Sequence, residues 1–457
     1  MDIVTAFMNA DLDDSEVILL RPPPIVKKIM KMDDDELWVV RKAVYGLRAA
    51  PKAWEKTRDA KLDNAILKAG KGDALGDLKL LPWDISAGLW KIVQADNHNK
   101  ILGVLAMYVD DGLLAGEREI MKRVASLIKG IWDTKLQAIL VNEKIGLKAG
   151  QTIRIADVNV PVVQEATFLG IQIRRLQDGA LFLTQEAWVG AELKSRGWHT
   201  LHGSKSLPTL HEGQMEMQIK DTQHAKQLHE AQSQVGALLW LSLRTRPDLA
   251  ACVGATASLM SHNPEEALRV TKGIWRHVKY TQYWGIRYAV GSCDEVTTCS
   301  DASWAPGGSK SRTGITVHWG GHLIAWRSQR QTLTAFSPAE AELDALGSAL
   351  QMGCKTQSII QSIAGKHFEH KLRGNNVASI LQLTDPGYHT EDQRTRHYAL
   401  RCAYVRDHLE ASKTKLEHCS GKELPADGLT KALACTALRK ARELLGMYEA
   451  KKSNANS

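Results

Sequence analysis

AMYVDDGLLAG, residues 106–116, sets two adjacent aspartates inside an otherwise apolar run. Leu102 to Val109 and Leu113 to Ala115 are apolar enough to be buried strands, and Asp-Gly between two such runs is a strong hairpin signal. The reading puts Asp110 and Asp111 at a hairpin tip, with Asp111-Gly112 as its turn. One aspartate satisfies turn chemistry, because Asp tolerates turn geometry and bonds its own backbone. A second raises the local negative charge, which is tolerable where a hard divalent cation takes carboxylate oxygens. Within these eleven residues, turn chemistry and metal chemistry both stand.

The surrounding chain narrows the choice. At 457 residues it exceeds one ordinary core, so two or three domains are expected. With 44% hydrophobic and 24% charged residues it has a folded composition. No apolar run reaches membrane-spanning length, and the first residues form neither a basic leader nor an apolar signal segment, so a membrane is excluded as partner and the expected location is cytoplasmic or nuclear. All seven cysteines lie at or after Cys252 without a CxxC pair, which disfavours a disulfide framework and a zinc ribbon. A net charge of +8 and a pI near 9.0 favour nucleic acid over an acidic small substrate.

Hydrophobic spacing divides the chain. Residues 1–195 mix strand and helix, with a helix starting at Ala50-Pro51 and FLGIQIRR (168–175) alternating as a strand. Residues 196–290 turn helical from Thr222 to Tyr283. Residues 291–440 read as strands in TTCSDASWA, RTGITVHWGGHLIAWRSQR and TLTAF, followed by a long helix from Pro338 to about Ile363. Residues 441–457 read as a polar tail that ends in KKSNANS. The fold class is α+β and α/β, multidomain.

Asp2 in MDIVTAF, Tyr45 to Trp54 in YGLRAAPKAW, and Tyr108 to Asp111 in YVDD occur in one order, and in that order the chain resembles the reverse transcriptase of Ty1/copia-type retrotransposons. The downstream stretches CSDASWA, SPAEAELDAL, NNVASI, TRHYAL and LPADGLTKAL resemble the ribonuclease H domain of the same family. The resemblance covers about residues 1 to 440. It implies a reverse-transcriptase palm over 1–195, a helical thumb or connection region over 196–290 and a ribonuclease H-like domain over 291–440.

What the resemblance implies for chemistry is two-metal phosphoryl transfer with Mg²⁺ or Mn²⁺, in which carboxylates hold both ions. Asp2 and Asp110 would carry the metals and Asp111 would support them. Phe7 matches the bulky position that excludes a ribose 2′ hydroxyl, and core packing is its bland alternative. Tyr45, Gly46 and Tyr108 would lie near template and nucleotide, while Ala49 departs from the glutamine usual there. In the ribonuclease H domain, Asp301, Glu342 and Asp427 fit three of four acidic metal ligands, with Glu340 as a weaker candidate for the second. Asn375 stands where aspartate is expected. An amide brings no negative charge, so metal affinity and cleavage should both fall, unless another acid such as Asp385 compensates.

The implied partners are an RNA template, a DNA primer, an RNA/DNA hybrid and deoxynucleoside triphosphates, in a cytoplasmic virus-like particle or the nucleus. The family's fingers lie upstream of Asp2, and Met1 reads as an internal methionine. The rival expectation is a truncated, catalytically impaired nucleic-acid-binding remnant. Arg276, Lys279 and Arg287 interleave with Tyr280, Tyr283 and Trp284, which fits either a nucleic-acid track or an amphipathic helix with snorkelling bases. Lys310, Arg312, Arg327 and Arg330 fit either phosphate contacts or solvated strand ends. The histidines near His367 and His370 are assigned no metal.

Overall fold

A computed structural model of the chain describes all residues except 14–16, 71–72, 85, 209–221, 292–293, 307–308, 386–398 and 451–457. Within TRHYAL only residues after 398 are described, and the KKSNANS end lies outside the described residues. Two compact units emerge, Met1–Leu169 with Ile363–Gly365, and Gly170–Ser362 with Lys366–Ser457.

The first unit is built on an antiparallel sheet of seven strands. Their order is Ile66–Leu67, Leu78–Pro82, Leu89–Gln94, Gly103–Tyr108, Asp111–Gly116, Asp2–Ile3 and Thr134–Lys135. Alternation in Gly103–Tyr108 buries Leu105 and Met107. The helix Arg118–Ile131 buries Ile120, Val124 and Ile128, spaced by four, so one stripe faces the sheet. The helix Ala50–Leu62 carries Pro51 in its first turn, where a missing N–H costs nothing, and sinks Trp54 into the same core.

In the second unit, the strands Ile171–Arg175, Leu181–Thr184, Trp284–Tyr288 and Met447–Glu449 pair antiparallel in that order. Beside them the helices Thr222–Ser242, Ala250–Leu259 and Pro264–Tyr280 contribute Leu238, Val253, Trp275 and Val278 to one core. A second sheet runs His322–Arg330, Arg312–Trp319, Glu295–Ser303, Glu369–Gly374, Lys415–His418. Its first three strands are antiparallel and the last two join in parallel. The helix Pro338–Ala364 packs Leu343, Leu346 and Leu350 against Val296, Ile315 and Val317 of that sheet. Among the described residues no helix is long and apolar enough to cross a membrane.

The two compact units part at Leu169–Gly170, where both residues take positive φ (50° and 72°) and interrupt FLGIQIRR before its strand begins. Three expectations change. Residues 441–450 are not tail: the helix Cys435–Leu444 buries Arg442, and Met447–Glu449 pairs with Trp284–Ile286. TLTAF forms a loop, since the Phe336 N–H donates to Glu340 Oε2 (2.7 Å) and not to a neighbouring strand. The hairpin turn is Val109-Asp110, with Tyr108 opposite Asp111, so the Asp-Gly pair lies in the strand.

Candidate active site

That shifted turn places the aspartates differently from one another. Val109 takes φ 55°, a conformation β-branched residues avoid. Its carbonyl accepts the Trp54 indole N–H at 2.8 Å, which fixes the strained turn from below. Asp110 therefore stands at the tip and Asp111 begins the returning strand. Asp2 lies directly opposite Asp111 on one side and Lys135 on the other. The Ile3 N–H donates to the Asp110 carbonyl (2.9 Å) and the Val4 N–H to that of Asp133 (2.9 Å). A two-residue strand is thus held from both edges, and the three carboxylates share one end of the sheet. Gly112 packs beside them: a Cβ there would lie 2.7 Å from Met1 Cγ, so the flexible Met1 side chain would have to move.

The electrostatics report the same convergence. Burial, then the neighbouring Asp110 charge and that of Asp2, push the Asp111 carboxyl above its ordinary value. The Tyr45 hydroxyl is raised too, by burial first and then by Asp110 and Asp2, which places it beside the acids. Phe7 meets Tyr45 edge to face with ring centroids 4.8 Å apart. Gly46 follows Tyr45 with φ 94°, a turn that any side chain would strain. Tyr108 is exposed at the hairpin's entry.

The second cluster is assembled in the Gly170–Ser457 unit. Asp301 lies near the end of its strand, and Gly314 is its register partner on the neighbouring one. A Cβ on Gly314 would come 2.6 Å from the Ala426 carbonyl and 2.9 Å from Thr430 Cγ2. The bare backbone lets the Pro425–Leu429 turn sit on the sheet, bringing Asp427 and Thr430 to Asp301. Asp301 accepts from Thr430 Oγ1 on Oδ2 (2.7 Å) and from Asn375 Nδ2 on Oδ1 (2.9 Å). Lys431 Nζ donates to Asp427 Oδ1 at 2.6 Å.

Glu342 is pushed up to about 8 by burial and by the charges of Asp301 and Asp427, despite the Ala302 N–H that it accepts. Asp301 is raised as well, with burial the largest cause. Glu340 faces elsewhere: it holds the Phe336 N–H and pairs with Arg401 (3.3 Å). Asp385 follows the eight-residue helix Val377–Thr384, about 12 Å of helix beyond Asn375.

Both donor sets are oxygen, the chemistry of a hard divalent cation. Among the described residues no three acidic, histidine or cysteine side chains converge tightly enough to form a ligand set alone. Water and substrate oxygens would supply the balance, as Mg²⁺ ordinarily requires. By donor chemistry the Asp2, Asp110 and Asp111 set fits. The Asp301 set fits less well, because both Asp301 oxygens already accept hydrogen bonds and one donor is an amide.

Trp54, Thr430, Lys431 and Gly314 escaped the sequence reading as participants. All four sit inside quoted stretches, but nothing in spacing shows, for example, that an indole reaches a carbonyl 55 positions away. Several of the interleaved side chains are used internally. Trp284 carries the Arg442 guanidinium 4.7 Å above its ring, Arg287 pairs with Asp178, and Arg276 Nε donates to the His202 carbonyl (3.0 Å). Arg312 is buried.

One carboxylate set thus lies on an antiparallel sheet and another on a mixed five-stranded sheet. Residues 1–160 match the family described as reverse transcriptase (RNA-dependent DNA polymerase). The chain is 25% identical over 461 residues to the retrovirus-related Pol polyprotein from transposon RE1 of Arabidopsis thaliana, covering 98% of this chain and 27% of that protein. It is 21% identical over 447 residues to the transposon Ty1-NL2 Gag-Pol polyprotein of Saccharomyces cerevisiae, covering 95% and 23%. A solved LC11-RNase H1 in complex with RNA/DNA hybrid is similar over 32% of this chain and 99% of that one, at 16% identity and a TM-score of 0.24. Residues 1–160 thus resemble a reverse transcriptase, and nearly the whole chain is similar to a stretch of Ty1/copia-type retrotransposon Pol polyproteins. It spans about a quarter of the length of the curated relatives it matches.

Proposed function

We propose that this chain is the polymerising and hybrid-degrading portion of a retrotransposon enzyme, in which the polymerase site is intact and the nuclease site is weakened. The carrying observation is the two-sided grip on Asp2, which brings it into register with Asp111 beside Asp110. Asp2 and Asp110 would hold the metal pair, with Asp111 as support. Mg²⁺ or Mn²⁺, when bound, would supply the charge that clamps the attacking 3′ hydroxyl and the leaving pyrophosphate. Tyr45, Gly46 and Tyr108 line the approach for template, primer and deoxynucleoside triphosphate. Phe7, braced by Tyr45, is the wall against a ribose 2′ hydroxyl.

In the second site Asp301, Glu342 and Asp427 would bind the cations that hydrolyse the RNA strand of a hybrid. Asn375 favours impairment there, since its amide donates to Asp301 where a carboxylate would add charge. The compartment that fits this reading is a cytoplasmic virus-like particle or the nucleus.

Primer extension on an RNA template tests the first half, using the chain within its longer polyprotein form. Divalent-cation-dependent extension that is lost in Asp110→Asn supports the reading. Equal extension by Asp110→Asn, or none by the unaltered protein, refutes it. A Phe7→Ala variant should incorporate ribonucleotides more readily than the parent. Hybrid cleavage tests the second half: Asn375→Asp should cut faster than the parent.

A further inference from the structure

The turn that brings Asp427 and Thr430 to Asp301 is seated against two supports. The sheet meets it at Gly314, and the helix Cys435–Leu444 meets it at Gly428. A Cβ on Gly428 would lie 3.0 Å from the Ala441 Cβ and 3.7 Å from Leu433 Cδ1. Ala441 is buried, and its methyl stands directly on a helix backbone, so no rotamer change can withdraw it. Where that helix sits therefore decides where the turn sits.

The helix in turn is set by buried charge. Leu438 joins it to the core of Val253 and Trp275, but apolar adhesion is non-directional and leaves sliding open. Arg442, the residue after Ala441, adds direction: Nε donates to Asp248 Oδ2 at 2.8 Å, and Nη2 lies 2.6 Å from the same oxygen. Asp248 is gripped from its other side of the sequence by Arg246, whose Nε donates to Oδ1 (2.9 Å) and Nη2 to Oδ2 (2.9 Å). Arg246 also holds Thr281, at the end of the helix Pro264–Tyr280, through the carbonyl (3.0 Å) and the hydroxyl (2.8 Å). All three charged residues are buried, where charge-assisted bonds are strong and their fork geometry fixes position as well as energy.

We infer that Arg442, fixed by Asp248, is a positioning residue for the second acid cluster: it sets the helix that seats Asp427 and Thr430 against Asp301. The path is short. Asp248 holds Arg442, the neighbouring Ala441 meets Gly428, and Gly428 follows Asp427 directly. Two residues on, Thr430 donates to Asp301 Oδ2 (2.7 Å). The segment around Asp248, far from the acids in sequence, thus takes part in aligning them. The inference rests on the nuclease reading of the cluster and adds to it the residues that align it.

Amide hydrogen exchange of the full chain in EDTA, read by mass spectrometry, separates alignment from general stability. Arg442→Lys keeps the charge and loses the fork, so peptides spanning 425–431 should exchange about tenfold faster while those of the strand Glu295–Ser303 keep the parent rate. Gly428→Ala should do the same. Adding Ala441→Gly to Gly428→Ala should bring exchange back to within about threefold of the parent, because it vacates the space that the new methyl needs. In hybrid cleavage with Mg²⁺, Arg442→Lys and Gly428→Ala should each lower kcat by about 10–100-fold with the hybrid KM unchanged, and Ala441→Gly should again rescue Gly428→Ala. Turn and strand peptides that speed up together in Arg442→Lys, or turn peptides that do not speed up at all, overturn the inference. So does a Gly428→Ala defect that Ala441→Gly fails to relieve. Should neither the parent nor Asn375→Asp cut hybrid, the nuclease reading falls, while the exchange pattern still decides whether Arg442 sets the turn.

Discussion

Replacing Asn375 by aspartate restores the charge that the family pattern expects, and the geometry sets what this should cost. Asn375 Nδ2 donates to Asp301 Oδ1 at 2.9 Å, so the variant would face two carboxylate oxygens at about that distance. At an effective dielectric of 20, two charges 3 Å apart repel by about 5–6 kcal/mol, and the lost hydrogen bond to a charged acceptor adds about 1.5–3 kcal/mol. Proton uptake caps the penalty: neutralising a carboxyl of ordinary pKa at pH 7 takes about 4 kcal/mol. We therefore expect Asn375→Asp to lose about 2–4 kcal/mol of unfolding free energy in EDTA at pH 7.

The sign with pH follows. The new pair has its folded-state pKa raised, so the variant's deficit is absent below the unfolded value near 4 and grows as pH rises through the folded one. Divalent cation should then recover the loss, because an ion binding only the folded state stabilises it by mass action. Urea unfolding with and without Mg²⁺, at pH 5 and pH 7, reads all three effects. A variant as stable as the parent in EDTA at pH 7 would refute the reasoning, as would a deficit that Mg²⁺ leaves unchanged.

Three further outcomes follow from the same structure. Asp248 lies buried between Arg246 (2.9 Å) and Arg442 (2.6 Å), so Asp248→Ala strands two guanidiniums and should lose about 3–5 kcal/mol by urea unfolding. His277, which accepts from Arg442 through Nε2, is held down to about 4 by burial and then by the Arg246 charge. A depressed base is worth most above its unfolded value of 6.5, so stability should fall between pH 6.5 and 4 by up to about 3 kcal/mol, and a His277→Gln variant should show a shallower acid limb. Trp54→Phe removes the donor to the Val109 carbonyl and should cost about 1 kcal/mol in unfolding, with a larger fall in primer-extension kcat than in nucleotide KM.

Much of the architecture was legible in the chain. Two apolar runs around Asp110 announced a hairpin, and Pro51 in a first turn announced the helix Ala50–Leu62. The hairpin's turn was not legible, because local preference favours Asp-Gly while the structure uses Val109-Asp110, held by an indole from a helix far back in the chain. Tertiary contact outweighed turn propensity there. The same limit hid Thr430: a threonine after an aspartate carries no mark that its hydroxyl will reach a carboxylate 129 positions earlier. The second sheet's acids were placed by motif order, but what each oxygen accepts emerged only from the packed turn on Gly314. The pairing between Leu181–Thr184 and Trp284–Tyr288 joins segments about a hundred positions apart, beyond the reach of any local pattern.

The register of Asp2 with Asp111 and Lys135 bears on how the protein is made. All strands that hold the first carboxylate set have left the ribosome once Lys135 has emerged. The second set waits for Asp427 and Thr430, roughly 300 residues later, which at 5–20 residues per second is about 15–60 s of synthesis. A nascent chain therefore completes its first acid set well before its second. Any ribosome that stalls between the two releases a fragment with the one and not the other.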